Sequence, residues 1–193
     1  MHVRSSGSLL SLSTQNKVIP VIENRAQLIH IFDLPRINAI LLRHCNPLEL
    51  NGLLVRAHER DILTYVNVDN IDGINADNAG IRYLAERLHI TGIVSNHPRI
   101  LALSKNYGLE TIQRIYALDS TGLETALESV DQSNVDLLDI SPALVTPHIM
   151  QQLTVPLPLP FIASGLILTS AHVRAVMHAG AIGVVVTRDE LWS

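Results

Sequence analysis

Arg114 is the first residue in this sequence whose type and place suggest chemistry. It stands beside Gln113 in "ETIQRIY" (110–116), a run whose β-branched and aromatic residues predict a strand. Successive strand residues face opposite sides, so one of the pair points inward. A permanent cation near the end of a strand can meet an anion, or it can form a structural ion pair with Asp139 or Asp119. A second group lies in "ASGLILTS" (163–170) and "VVVTRDE" (184–190). There Gly165 lets the backbone approach a ligand closely, and Ser164, Thr187 and Arg188 offer donors suited to a phosphate. The competing reading is turn chemistry at Gly165 and a helix cap at Thr169. A third group, Asp69, Asp72 and Asp77 in "VNVDNIDGINADNAG" (66–80), does not match a calcium loop. Asp72-Gly73 reads as a turn, and Asn75 or Asp77 as a cap.

Several chemistries lack their residues. The two lysines, Lys17 and Lys105, fall away from strand ends, which disfavours a Schiff-base mechanism. The sole cysteine, Cys45, excludes an internal disulfide and Cys-rich zinc patterns. It also suits a reducing cytoplasm. His30, His58, His148, His172 and His178 fall on helical stretches, whereas His44 and His97 follow strands and can face a site. No Ser-His-Asp arrangement and no H-E-x-x-H motif is visible. No cofactor or metal is expected. A net charge of −4 argues against broad polyanion binding, so any nucleic-acid contact needs a local basic patch.

The elements that must position these residues alternate along the chain. Strand-like runs cover 18–22, 37–42, 62–68, 90–95, 111–116, 136–140, 160–164 and 182–186. Several are continuously apolar, as in a parallel sheet buried on both faces. Between them run helical stripes: Leu50, Leu53, Leu54 and Ala57; Ile81, Leu84, Ala85 and Leu88; Leu123, Ala126, Leu127 and Val130; Val173, Val176 and Met177. Pro47, Pro98 and Pro147 mark helix starts, and Gly108 and Gly180 mark stops. "VPLPLP" (155–160) is a stiff loop before the seventh strand. The pattern predicts a TIM-barrel-like (β/α)8 barrel with a truncated last helix, because only "TRDELWS" follows the eighth strand. An open α/β sheet is the alternative. Residues 1–16 read as a flexible N-terminal tail with an apolar core broken by serines, and residues 17–193 as a single domain. No apolar run is long enough to span a membrane.

In such a barrel, sites lie at the carboxyl ends of the strands. That gives Glu23, Arg43, Asn67, Asp69, Ser95, Asn96, Gln113, Arg114, Asp139, Ser164, Gly165, Thr187 and Arg188 as candidates for the mouth.

"KVIPVI", "VDNIDGINADNAGIRYLAE", "GIVSNHPRILALSKNYGLETIQRIYALDS" and "FIASGLILTSAHVRAVMHAGAIGVVVTRDELW" together resemble the glycerol-3-phosphate-responsive antiterminators of glycerol uptake operons. The resemblance runs from about Lys17 to Trp192. It implies a TIM-barrel-like fold and a cytoplasmic regulator that senses glycerol-3-phosphate, or a related phosphate ester, and acts on leader messenger RNA. On that basis the ligand-binding residues are Arg114, Gln113, Asp69, Asp139, Ser164, Gly165, Thr187 and His97. A homodimer is a further expectation, and the RNA-binding residues are unknown. The sequence departs from the pattern expected of the family. Asn67 stands for a histidine, and His97 and Leu168 for lysines. Ser164 replaces the first glycine of a pair, and Val185 and Val186 replace hydroxyl residues. Each charge-assisted contact is worth roughly 1.5–3 kcal/mol, so losing two weakens phosphate affinity by about two decades or more unless His97, Arg114 or Arg188 compensates.

Three readings follow: an RNA-binding antiterminator with a phosphate-ester sensor site, a small barrel enzyme acting on a phosphorylated metabolite, and a degenerate barrel serving as a scaffold. Apolar filling of the mouth by Leu168, Val185 and Val186 favours the last. For RNA, Arg36, Arg43, His44, Arg56, His58 and Arg60 form one candidate basic patch, and Arg99 with Lys105 another.

Overall fold

Each of the eight apolar runs becomes a strand, and the strands close on themselves. The computed structural model describes residues 7–12, 18–153 and 156–193. Lys17, Thr154 and Val155, at the domain start and in the loop before the seventh strand, lie outside the described residues. The strands are β1 (Val18–Ile22), β2 (Ala39–Leu42), β3 (Leu63–Asn67), β4 (Gly92–Ser95), β5 (Glu110–Tyr116), β6 (Leu137–Ser141), β7 (Phe161–Ser164) and β8 (Gly183–Val186). All pair in parallel in chain order, and β8 returns to β1 through Val18 opposite Val184 and Ile19 opposite Val185. The closed barrel replaces the open-sheet alternative.

The helices are α1 (Arg25–Ile31), α2 (Asn51–His58), α3 (Asn78–Glu86), α4 (Pro98–Lys105), α5 (Ser120–Glu128), α6 (Thr146–Gln152) and α7 (Ser170–His178). Their starts follow local chemistry. Asp77, Asp119 and Thr169 each accept a first-turn N–H, from Gly80, Gly122 and His172. Pro98 opens α4 and Pro147 sits at the second position of α6, where a missing N–H has no consequence. Pro47 instead lies in a turn ahead of α2, which begins at Asn51. No full helix follows β8: Asp189–Leu191 is a single 3-10 turn. Trp192, fully buried, packs in the outer core beside His30 and donates its indole N–H to the Val186 carbonyl at 3.0 Å.

The continuous apolar strands feed two cores. Ile19, Val21, Leu41, Leu63, Tyr65, Val94, Ile112, Leu137, Ile162 and Val185 fill the barrel interior. Alternate residues such as Ile40, Val66, Ile93, Ile115, Ile140 and Val184 meet the helices. Gly92 has no room for a side chain, since a Cβ would stand 2.4 Å from the Glu110 carbonyl and 2.8 Å from the Tyr65 ring.

The interior is closed at its N-terminal end by a segment expected to be loose. Leu9–Ser11 form a 3-10 turn, with Ser8 and Ser11 making a reciprocal cap. Leu9 is buried in the inner core. Its N–H donates to the Tyr65 hydroxyl and to a Glu110 carboxylate oxygen, each at 3.2 Å, and the Ser8 hydroxyl donates to Glu110 at 2.7 Å. Tyr65 in turn donates to Glu110. Burial, reinforced by that carboxylate, pushes the Tyr65 phenol far above its ordinary value. The serines that interrupt the apolar run are therefore the groups that anchor it.

The same end carries an ion pair between Lys105 and Asp136. Burial alone would raise the Asp136 carboxyl. Lys105, together with the N–H and hydroxyl of Thr111, outweighs that effect and holds it below its ordinary value. A depressed carboxyl contributes stability above its unfolded pKa of about 3.9 and loses it as pH falls through the folded value. Asp136→Asn should therefore cost about 1–2 kcal/mol at pH 7, allowing for partial exposure of the pair. The gap between variant and wild type in urea midpoint should shrink below about pH 4.

Candidate functional site

Because β5 alternates, Ile112 and Arg114 point into the barrel while Gln113 and Ile115 point towards the helices. Arg114 lies directly opposite Asp139 in the ladder between β5 and β6. Its Nε and Nη2 donate to Asp139 Oδ2 at 2.8 and 2.7 Å. The pair is deeply placed, with side-chain exposures of 9% for Arg114 and 0% for Asp139. Burial alone would lower the guanidinium pKa, but Asp139 outweighs it and the value is raised. Arg114 is therefore a fixed cation.

A second pair faces it from the other side of the ring. Glu23 and Arg43 are the first inward positions beyond β1 and β2, two residues after Val21 and Leu41. Arg43 Nε and Nη2 donate to Glu23 Oε1 at 3.1 and 2.7 Å. Between the two arginines opens a cleft of about 230 Å³. Ser164 and the loop Gly165–Leu168 form one wall, Thr187 closes the rim, and Val21, Leu41 and Val185 form the floor. Gly165 has φ +89°, and a Cβ there would come 3.2 Å from Ser141 Oγ. Leu166 follows at φ +59°, a conformation unusual for a residue with a side chain.

Of the residues expected at the mouth, Arg114, Ser164, Gly165 and Thr187 line this cleft. Asp139 sits behind Arg114, fully buried. Gln113 does not reach the mouth: it is 5% exposed on the helix-facing side of β5. Asp69 braces the β3 and β4 ends, accepting from the Ser95 hydroxyl and the Asn96 N–H, each at 2.7 Å. His97 is the exposed residue before α4, and its N–H donates to Ser95 Oγ at 3.1 Å. Asp69 and His97 thus lie on the β3–β4 side and do not line the cleft. Glu23 and Arg43 were visible as strand-end residues, but their pairing depends on the register of β1 and β2. Leu166 and Leu168, 59% and 52% exposed, form an apolar lip.

The basic patch expected around the second and third strands divides. Arg43 turns into the mouth. Arg56 and Arg60 stack over the Phe32 ring at 4.4 and 4.9 Å, beside the C-terminal ends of α1 and α2. Lys105 pairs with Asp136. Among the described residues, no three His, Cys, Asp or Glu side chains gather as a metal site, and no helix is long and apolar enough to cross a membrane.

A closed parallel eight-stranded barrel with a cleft at the carboxyl ends of its strands defines a TIM-barrel-like protein. The chain belongs to the glycerol-3-phosphate responsive antiterminator family, whose model matches residues 18–192. A glycerol uptake operon antiterminator regulatory protein from Listeria monocytogenes superposes with TM-score 0.79 at 24% identity, covering 94% of this chain and 97% of that one. A glycerol uptake operon antiterminator-related protein from Thermotoga maritima gives 0.76 at 21% identity, covering 92% and 98%. These two likenesses support the fold. The Escherichia coli K12 protein named "Uncharacterized protein YgcP" is 24% identical over 185 residues, 96% of each chain.

Proposed function

We propose that this protein is a cytoplasmic transcription antiterminator of glycerol-utilisation genes, which senses glycerol-3-phosphate or a related phosphate ester in the cleft and acts on leader messenger RNA. The observation that carries the sensing part is the placement of Arg43 and Arg114 on either side of the Ser164–Leu168 loop. Guanidinium donors, hydroxyls and a glycine turn are the groups that hold a phosphate. The two carboxylates beside the cleft, Glu23 and Asp139, each hold one of its arginines, a positioning role that suits a sensor. The RNA part rests on family membership.

Titration calorimetry with glycerol-3-phosphate tests the sensing reading. Arg43→Gln removes a half-exposed cation and should weaken binding by about tenfold or more. Unchanged affinity would remove Arg43 from the site. A gel shift with the host's leader transcript, with and without the ester, tests the RNA reading. No shift in either condition would leave the scaffold reading in its place.

A further inference from the structure

We infer that Asn67, together with the free oxygen of Asp139, reads the hydroxyl groups of the ligand, so that a phosphate ester lies with its phosphate outward and its hydroxyls towards the barrel interior. This rests on the phosphate-ester reading above and names the residues that select the remainder of the ligand.

The register places Asn67. Val21 pairs with Leu41, Leu42 with Val66, Asn67 with Val94, and Ser95 with Gln113. Arg114 pairs with Asp139, Ile140 with Ala163, Ser164 with Val185, and Val186 with Pro20. Crossing each pair and advancing one residue returns the path to Val21, and so traces one level turn of the barrel. Alternate strands supply the inward side chains of such a turn: Val21, Asn67, Arg114 and Ser164. The other three line the cleft. Asn67 therefore stands at their depth, across the ring from Ser164.

Two polar atoms at this depth lack partners. Asn67 and Asp139 are both fully buried. Asn67 Nδ2 donates to Asn70 Oδ1 at a long 3.4 Å, and its Oδ1 meets no donor among the described residues. Asp139 Oδ2 takes both bonds from Arg114, and its Oδ1 takes none. A buried acceptor without a donor is costly and rare, and beside a cleft it marks a bond that a ligand completes. A hydroxyl donates to either oxygen, and it can equally accept from the Asn67 amide turned over. An ionised phosphate oxygen cannot donate, and the Asp139 carboxylate repels it. The phosphate is left to Arg43 and Thr187, each one residue nearer the mouth than this turn, and to the Gly165–Leu168 loop. Both orphaned atoms are closed to solvent, so the hydroxyl that meets them enters the layer itself, beside Arg114.

Calorimetry with glycerol-3-phosphate and with propyl phosphate, which has the same charge and carbon chain but no hydroxyl, tests the inference. Wild type should prefer glycerol-3-phosphate by about tenfold or more, because a site built to bond a hydroxyl rejects an analogue without it. Asn67→Leu should cut that preference by about fivefold or more, weakening glycerol-3-phosphate and leaving propyl phosphate within about twofold. Thermal melts would confirm that the variant folds, and Asn67→Ala takes its place if leucine does not fit. Propyl phosphate also reports the arginine contacts alone, whichever residues stand at 67 and 139. Equal binding of the two ligands by wild type would overturn the inference, reduce the orphaned atoms to holders of a resident water, and leave the sensing reading standing. A preference unchanged in the variant would overturn the assignment of Asn67. Binding of neither ligand by wild type would overturn both the inference and the sensing reading.

Discussion

Arg114→Ala should destabilise the protein by about 3–5 kcal/mol, because it strands the fully buried Asp139 carboxylate without its partner. For a chain of this length that is a fall in Tm of roughly 6–20 °C. Asp139→Ala should cost about the same, since it leaves the guanidinium buried and unpaired. Replacing both together, as Arg114→Met with Asp139→Leu, should recover most of the loss, because paired charges and well-packed apolar side chains of similar volume are close in stability. The double variant separates scaffold from function. If Arg114 serves only to pair with Asp139, ligand affinity survives the double replacement. If it faces the effector, affinity is lost while stability returns. Thermal melts and calorimetry on the three variants decide the matter, and a double variant as unstable as the singles would sink the account of the pair.

The second large effect is expected at Trp192. Trp192→Ala should cost about 3–5 kcal/mol, although the residue is the penultimate one in the chain. Terminal residues are usually tolerant of change, but this side chain is fully buried and its N–H is bonded to β8. Trp192→Phe should cost less, keeping most of the apolar area and losing the bond to Val186, which is worth about 1 kcal/mol. Because this is the sole tryptophan, its fluorescence follows unfolding in the wild type, and circular dichroism must follow the variants. A free-energy difference below about 1 kcal/mol for the alanine variant would show that the outer core does not depend on this residue.

The strands were legible because a parallel sheet covered on both faces must be apolar on both. That same property hid which face looks inward. Ile112 and Ile115 are both apolar and both buried, on opposite sides of β5, so nothing local distinguished Gln113 from Arg114. The ring closure decides it. The stripes of α2 and α3 were clear because whole turns are buried. By contrast α1 buries only Leu28 and Ile31, too few for a periodic signal. The turn at Leu9–Ser11 was missed because one buried leucine among serines resembles a tail. Its partners Glu110 and Tyr65 lie far along the chain. Glu23 and Arg43 were readable as strand ends but not as partners, because neighbours in a barrel are fixed by register. The division of the basic residues between mouth and opposite end followed from helix direction, which places Arg56 and Arg60 at the C-terminal end of α2.

The pairing of β1 with β8 joins Val18 to Val184, nearly the full span of the chain. During synthesis, the first strand therefore waits with an unmet edge until β8 has been made. Contacts so distant in sequence make for slow, all-or-none assembly, and an unsatisfied edge invites association with other chains in the interval. Ending the chain before β8 should thus yield insoluble material instead of a smaller stable fragment.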